Sequence, residues 1–236
     1  MSETHRLSLP LLQPAQAQKH VTVNEAFARL DGLVNLVLQS VTMATPPAAI
    51  IEGAAYGVPS GAVNAWSGHE GQVAIGANGG WVFVTPVPGW RAFVQDRGLE
   101  AICGPAGWIV GAMTCSAHGA GMKAGVLEID HVIGAGPVSA SSAMIPGGVL
   151  VLGVTARVIE AIEGSLNSWS LGNAGTEDRF GSGLGVAAGS WARGLLSQPM
   201  AYWAPEALQL TAAGGEFASG RVRLAIHYLE LMLPTA

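Results

Sequence analysis

The first change of apolar pattern lies near residue 24. Before it, Leu7, Leu9 and Leu11 alternate with other residues and Leu12 follows, while Pro10 and Pro14 disfavour helix and push the residues before them toward extended geometry. Residues 1–22 therefore read as an extended arm whose leucines need a neighbour to cover them. After it, Phe27, Leu30, Val34, Val37 and Val41 recur at steps of 3, 4, 3 and 4, the spacing of an a/d helical seam. Asn24 is a suitable N-cap, so the pattern predicts a helix that opens at Glu25 and Ala26 and runs to about Ser40. Leu33, Leu36 and Leu38 widen its apolar face, as in a helix buried on several sides. Such a seam fits a core helix packed on a β domain, or a short bundle of identical helices about a symmetry axis. Gly32 costs roughly 1 kcal/mol relative to alanine in a helix, which points to a close approach there.

Beyond Thr45-Pro46-Pro47 the period shortens to that of strands. Gly80-Trp81, Gly89-Trp90 and Gly107-Trp108 each set a turn residue before a large aromatic at a strand start. Residues 49–112 thus read as a small antiparallel β domain with tryptophans in its core. Residues 113–124 are rich in Gly, Ala and Ser and read as a linker. From residue 125 the chain is β again. Strands are predicted around residues 126–132, 148–154, 156–160, 166–171 and 221–231, and a helical turn at Ser190 to Leu196. Regular short strands separated by turn signals predict a β-sandwich of jelly-roll type over 125–236. The expected organisation is mainly β: residues 1–48 as arm and helix, a small β domain, a linker and the sandwich.

Composition adds one constraint. Half of the residues are apolar and only 11% are charged, against about 25% in an average soluble domain. Low charge points to surface hidden in an assembly, or to a tight β protein with a small-residue surface. A net charge of −5 without a basic run argues against nucleic acid as a partner. No run reaches the roughly 18 apolar residues of a membrane span, so no membrane insertion is expected. The N-terminus lacks a positive region followed by an apolar core, so no signal peptide is expected and synthesis in a reducing cytosol follows. Cys103 and Cys115 read as small buried thiols.

Chemistry is sparse. The chain carries no Gly-x-Ser-x-Gly elbow, P-loop, His-Glu-x-x-His or Cys-x-x-Cys, so no catalytic residue, metal or cofactor is assigned. On a strand Glu128 and Asp130 share one face while His131 points away, so the three cannot converge. Glu177-Asp178-Arg179 sits in a Gly-bounded loop that reads as a salt-bridged turn, with calcium as the alternative. Tyr202 and Trp203, with Arg179, are candidate glycan contacts by ring stacking and hydroxyl binding, against plain packing for each.

One stretch carries a resemblance. The run Leu9-Pro10-Leu11-Leu12-Gln13-Pro14-Ala15-Gln16-Ala17-Gln18-Lys19-His20, continued by Val21-Thr22-Val23-Asn24-Glu25-Ala26, resembles a family of phage-like proteins of alphaproteobacteria. That family includes head-spike and host-attachment proteins of gene transfer agents. The similarity extends over residues 7–110 and is looser over 125–236. It implies a component made in the bacterial cytoplasm and assembled on a particle that acts extracellularly, where head spikes engage host capsular polysaccharide. It implies no enzyme. The short chain, without extended repeats, fits a spike base or small spike. Assembly is then expected through Leu9, Leu11, Leu12, Phe27, Leu30, Val34, Val37 and Val41, as a trimer or as a pentamer at a capsid vertex, with capsid or spike-fibre proteins as further partners. The alternatives are a carbohydrate-binding module that itself recognises the capsule, and a polysaccharide-degrading enzyme.

Overall fold

The predicted helix is present but shifted. The computed structural model describes residues 3–12 and 19–234, so residues 13–18 of the arm lie outside the described residues. Helix α1 spans Lys19–Leu33 and stops because Asn35 takes a left-handed conformation, φ 49°, which asparagine tolerates better than most residues at a helix C-terminus. Asn24 is therefore inside α1 and not its cap. Its side-chain amide instead accepts from the Leu12 amide at 2.9 Å and donates to the Leu12 carbonyl at 3.1 Å. The apolar seam breaks with the helix: Val34 lies just past its end, Val37 is on a strand and Val41 packs against the core.

Residues 3–12 of the arm are folded back, not extended. The Thr4 amide donates to the Leu9 carbonyl at 3.0 Å, Glu3 bridges Pro10, and Ser8 adopts φ 50°. Asp31, 2% exposed, closes this turn onto α1. Its carboxylate accepts from the Thr4 hydroxyl at 2.8 Å and from the Arg6 and Leu7 amides. The Arg6 guanidinium in turn donates to the carbonyls of Asp31 and Gly32 at 3.1 Å and of Asn35 at 2.8 Å. A cation is thus placed on the last carbonyls of α1, where it satisfies orphan acceptors and the negative end of the helix dipole.

The chain forms two compact units, one of Met1–Gly121 with Leu233–Ala236, the other of Met122–Met232. The first unit takes in the arm, α1 and the tryptophan-containing β region. Its strands are β1 (Val37–Leu38), β2 (Ala55–Gly57), β3 (Val73–Ala77), β4 (Gly80–Val84), β5 (Arg91–Val94), β6 (Leu99–Gly104), β7 (Gly107–Val110) and β8 (Ala112–Cys115). The sheet order is β4-β3-β2-β1-β5-β6-β7, with β1 parallel to both neighbours and the rest antiparallel. Two meanders therefore flank β1, and their sequences echo each other: Ala74-Ile75 with Gly80-Trp81 in one, Ala101-Ile102 with Gly107-Trp108 in the other. Asn78 and Gly79, both at positive φ, make the two-residue turn between β3 and β4 that matches strand twist.

Side-chain alternation puts one small core on each face of this sheet. Val73, Ile75, Leu38 and Leu36 form one, with Trp90 and Trp108 partly buried against it. Tyr56, Ala74 and Trp66 form the other, with Trp81 packed on it. The aromatic ring centroids of Tyr56, Trp66 and Trp81 lie 5.2–5.8 Å apart. The three Gly-Trp tryptophans thus cover the cores, and Trp66, which no strand pattern flagged, fills one. Gly32 explains the docking of α1: a Cβ there would stand 2.7 Å from Ile75 Cδ1. The close approach is of helix to sheet. Residues 113–124, expected as a linker, are mostly strand; only 116–120 make a turn, closed by the Ser116 amide on the Ala120 carbonyl at 2.7 Å.

The second unit contains β9 (Gly121–Val132), β10 (Val138–Ile145), β11 (Val149–Gly164), β12 (Ser168–Asn173), β13 (Thr176–Leu184), β14 (Trp191–Tyr202), β15 (Glu206–Ala213) and β16 (Phe217–Met232). One sheet runs β10-β15-β12-β13 and the other runs β14-β11-β16-β9 within the unit. First strand pairs with last, second with second-last, and so inward to the β12–β13 hairpin. That nesting is the jelly roll. Trp169, Leu171, Leu208, Leu210, Leu224 and Ile226 fill the space between its layers. Two expectations change. The strands expected at 148–154 and 156–160 are one, β11, and the helical turn expected from Ser190 to Leu196 is replaced from Trp191 on by strand β14, with Ala192 and Gly194 facing inward and Trp191, Arg193 and Leu195 facing out.

The latch at Asp31 is testable. Burial pushes its pKa up, but the Thr4, Arg6 and Leu7 hydrogen bonds and the Arg6 charge outweigh this and hold it below the ordinary carboxylate value. A carboxylate held low stabilises the fold fully above its unfolded pKa, and that contribution is lost as pH falls through the folded value. Asp31→Asn should destabilise the first unit by about 1.5–3 kcal/mol, the range for hydrogen bonds to a charged group. Hydrogen exchange at the Arg6 and Leu7 amides should rise in the variant at neutral pH, and in the wild type only in acid.

Candidate functional site

The outward surface of the β14-β11-β16-β9 sheet is built by strict alternation. Trp191, Arg193 and Leu195 project from β14; Arg157 and Thr155 from β11; Arg223 from β16; Glu128 and Asp130 from β9. Register sets Arg157 opposite Trp191 on one side and opposite Arg223 on the other, and Thr155 opposite Arg193. Trp191, Arg193, Thr155, Arg157, Arg223 and Glu128 line a concavity of about 560 Å³, within the range of about 300–1,000 Å³ for small-ligand sites.

Charge on this face is unevenly matched. Arg223 holds Asp130 in a two-pronged pair, Nε to Oδ1 at 2.6 Å and Nη2 to Oδ2 at 2.8 Å, with Glu128 at 3.9 Å. The Arg223 hydrogen bonds hold the Asp130 carboxyl below its ordinary range. Arg157 donates to the Gly189 carbonyl at 3.5 Å. Arg193 lies over Trp191 at 5.8 Å. Among the described residues neither Arg157 nor Arg193 has a carboxylate partner. Trp191 remains 62% exposed.

The glycan contacts expected from sequence do not come together as a set. Trp203 follows β14 and is 88% exposed. Tyr202 is 5% exposed, and its hydroxyl donates to Asn173 Oδ1 at 2.8 Å inside the sandwich. Its ring cannot stack on a sugar, because β14 turns it toward the core. Burial raises its pKa. Arg179 donates to the Thr176 hydroxyl at 2.9 Å and contacts Met200 Sδ; it makes no ion pair with Glu177 or Asp178, so the salt-bridged turn does not form. Those two carboxylates are exposed on β13. Among the described residues no three His, Cys, Asp or Glu side chains are grouped to hold a metal. Cys103 and Cys115 are free thiols, Cys103 buried with its pKa raised by that burial. No helix among the described residues is long and apolar enough to cross a membrane.

As the alternation of β9 requires, His131 turns inward from Glu128 and Asp130. Its Nε2 pairs with the Ser139 hydroxyl at 2.8 Å, and Ser139 also accepts from the Gly134 amide. The expected assembly residues spread over several environments: Leu9, Leu11, Phe27, Val37 and Val41 are half-buried, whereas Leu12, Leu30 and Val34 are exposed. Trp191, Arg193 and Arg157 carry the site that sequence reading missed. The outward alternation of Trp191, Arg193 and Leu195 was the available signal, hidden when the segment is read as a helical turn.

Residues 23–109 match the family model described as "Protein of unknown function (DUF2793)". No curated protein matches the chain. A solved structure, "Cyanophage Pam1 capsid asymmetric unit", is 22% identical over 50% of this chain and 92% of that chain, at a TM-score of 0.33. A likeness this loose fixes neither fold nor function.

Two outcomes follow from this geometry. Tyr202→Phe leaves the Asn173 carbonyl without its buried donor and should cost about 1–3 kcal/mol in thermal unfolding, while Trp203→Ala should leave stability within about 0.5 kcal/mol. Burial holds the His131 pKa below its ordinary value. The unfolded chain then binds the extra proton first, so stability of the second unit should decline as pH falls below about 6.5. In His131→Gln, denaturant titrations at pH 7 and pH 5 should differ less than in the wild type.

Proposed function

We propose that the chain is a structural subunit of a phage-like particle of the gene-transfer-agent kind, a spike base or small spike whose first unit assembles and whose sandwich contributes to attachment at a host capsule. The reading assigns the chain no catalysis. The observation that carries it is the arm–helix region. The stretch that carries the resemblance includes residues 9–12 of the arm and residues 19–26 of α1, and the described arm and α1 are fastened together through Asp31 and Arg6. The same region leaves Leu12 and Leu30 each 48% exposed and Val34 42% exposed. Apolar side chains held out on an ordered support suit a permanent interface, where the surface resembles a core. The low charge content agrees with that. Copies of the chain, as a trimer or a vertex pentamer, and capsid or fibre proteins are the partners this reading names.

The exposed Trp191 beside two arginines that have no carboxylate partner among the described residues favours a second role for the sandwich, direct recognition of the host glycan. It is compatible with the first.

Leu30→Glu with Val34→Glu tests assembly. Both side chains are exposed, so the monomer fold should tolerate the change, whereas burying two carboxylates in an interface is strongly unfavourable. Sedimentation at micromolar concentration should show an oligomer for the wild type and a monomer for the variant, with unchanged circular dichroism. A wild-type monomer, or equal masses for both, would remove the assembly role. Particles lacking this gene product should also lose a projection in electron micrographs.

A further inference from the structure

We infer that the outward face of β14, β11 and β16 binds a saccharide bearing a carboxylate, with Trp191 as the stacking surface and Arg157 and Arg193 as the groups that take the carboxylate. This deepens the attachment reading and rests on it only for where the ligand is met. Three features of the face lead there.

The first is the unmatched positive charge. Lys and Arg number 11 in a chain of net charge −5, yet Arg157, Arg193 and Arg223 line one concavity. Asp130 neutralises Arg223. Arg157 stands directly across from Arg223, and Arg193 is its diagonal neighbour on the other strand. Like charges at such positions destabilise a sheet, and here no carboxylate among the described residues forms an ion pair with Arg157 or Arg193, Glu128 of the same concavity standing 3.9 Å from Arg223. A bound anion would relieve that repulsion, and a guanidinium fork matches the two oxygens of a carboxylate.

The second is the aromatic surface. Arg193 lies over Trp191 at 5.8 Å, near the outer limit of about 6 Å for a cation–π contact, and Trp191 still keeps 62% of its surface exposed. The indole is left open directly across the strand pair from Arg157. An inorganic anion has no use for such a surface, whereas the apolar face of a pyranose stacks on it.

The third is the polar rim. Thr155 and Glu128 border the same concavity, and the Thr155 hydroxyl is paired with His227 Nε2 at 3.0 Å. Together they offer donor and acceptor capacity for sugar hydroxyls on the walls of the concavity that Arg157 and Arg193 also line. A neutral sugar would use the ring surface and rim but leave both guanidiniums unanswered.

Calorimetric titration of the purified full-length protein with trigalacturonic acid tests the inference, with galactotriose, inorganic phosphate and a single-stranded oligothymidylate as comparators. Trigalacturonic acid should bind saturably, weaken with added salt, and outcompete all three comparators. Trp191→Ala and Arg193→Gln should each weaken it by about tenfold or more, as loss of one charge-assisted bond or one stacking contact predicts; Arg157→Gln should do the same, and Trp203→Ala should change nothing. All four positions are exposed, and matching unfolding temperatures would confirm intact folds. Absence of saturable binding up to about 10 mM, a dissociation constant roughly tenfold weaker than millimolar, would overturn the inference. So would equal affinity for galactotriose, tighter binding of phosphate or oligothymidylate, or wild-type affinity in the three site variants. Incorporation into particles is read separately by micrographs, so a failed titration and a failed particle role are distinguishable.

Discussion

A carboxylate taken out of water without partners would cost several kcal/mol, and the whole N-terminal region is arranged so that Asp31 does not pay that cost. Thr4, Arg6 and Leu7 supply its donors from one short turn of the arm, while Arg6 reaches past it to the carbonyls that end α1. Removing any part leaves either a buried anion short of donors or a helix end short of cations. The arm, the end of the helix and the entry into β1 are therefore specified together. Gly32, one residue on, allows the fastened helix to rest on Ile75 of the sheet. One buried charge thus fixes where the first unit begins and which apolar residues it leaves facing out.

In the second unit the equivalent constraint is layering. Nested pairing of eight strands brings two sheets face to face, and alternate residues of every strand must fill the gap between them. Once Ala192, Gly194 and Tyr202 point inward, Trp191, Arg193 and Leu195 have to point outward. The same parity sends His131 to the core and Glu128 and Asp130 to the surface. The proposed site is thus a by-product of strand parity that the chain has furnished with unusual residues: arginines in a chain poor in charge, and an open indole.

The two units divide the chemistry of the molecule between them. Apolar side chains held at the surface characterise the arm and helix, which suits contact with protein. A cationic, aromatic concavity characterises the sandwich, which suits contact with a polar, ring-bearing ligand. Fold alone does not decide function, since jelly rolls serve many roles; the side chains placed on the fold carry the reading.

Composition and local pattern determined the mainly β character, the single helix, the jelly-roll class of the second half, and the facing of Glu128 and Asp130 away from His131. Those properties follow from short-range periodicity and turn residues, which are written locally. The end of α1 was not legible, because Leu33, Leu36, Val37 and Leu38 continue a helical spacing while Asn35 breaks it through one left-handed residue. The arm's turn was not legible either, since Asp31, 27 residues beyond Thr4, holds it. Tyr202 and Trp203 are adjacent aromatics that sequence treats alike; only layer packing made one a core residue and the other surface. Trp191, Arg157 and Arg223 lie on three strands far apart in the chain, and only hydrogen-bond register set them side by side. Local pattern chose the elements, and long-range pairing chose which side chains meet.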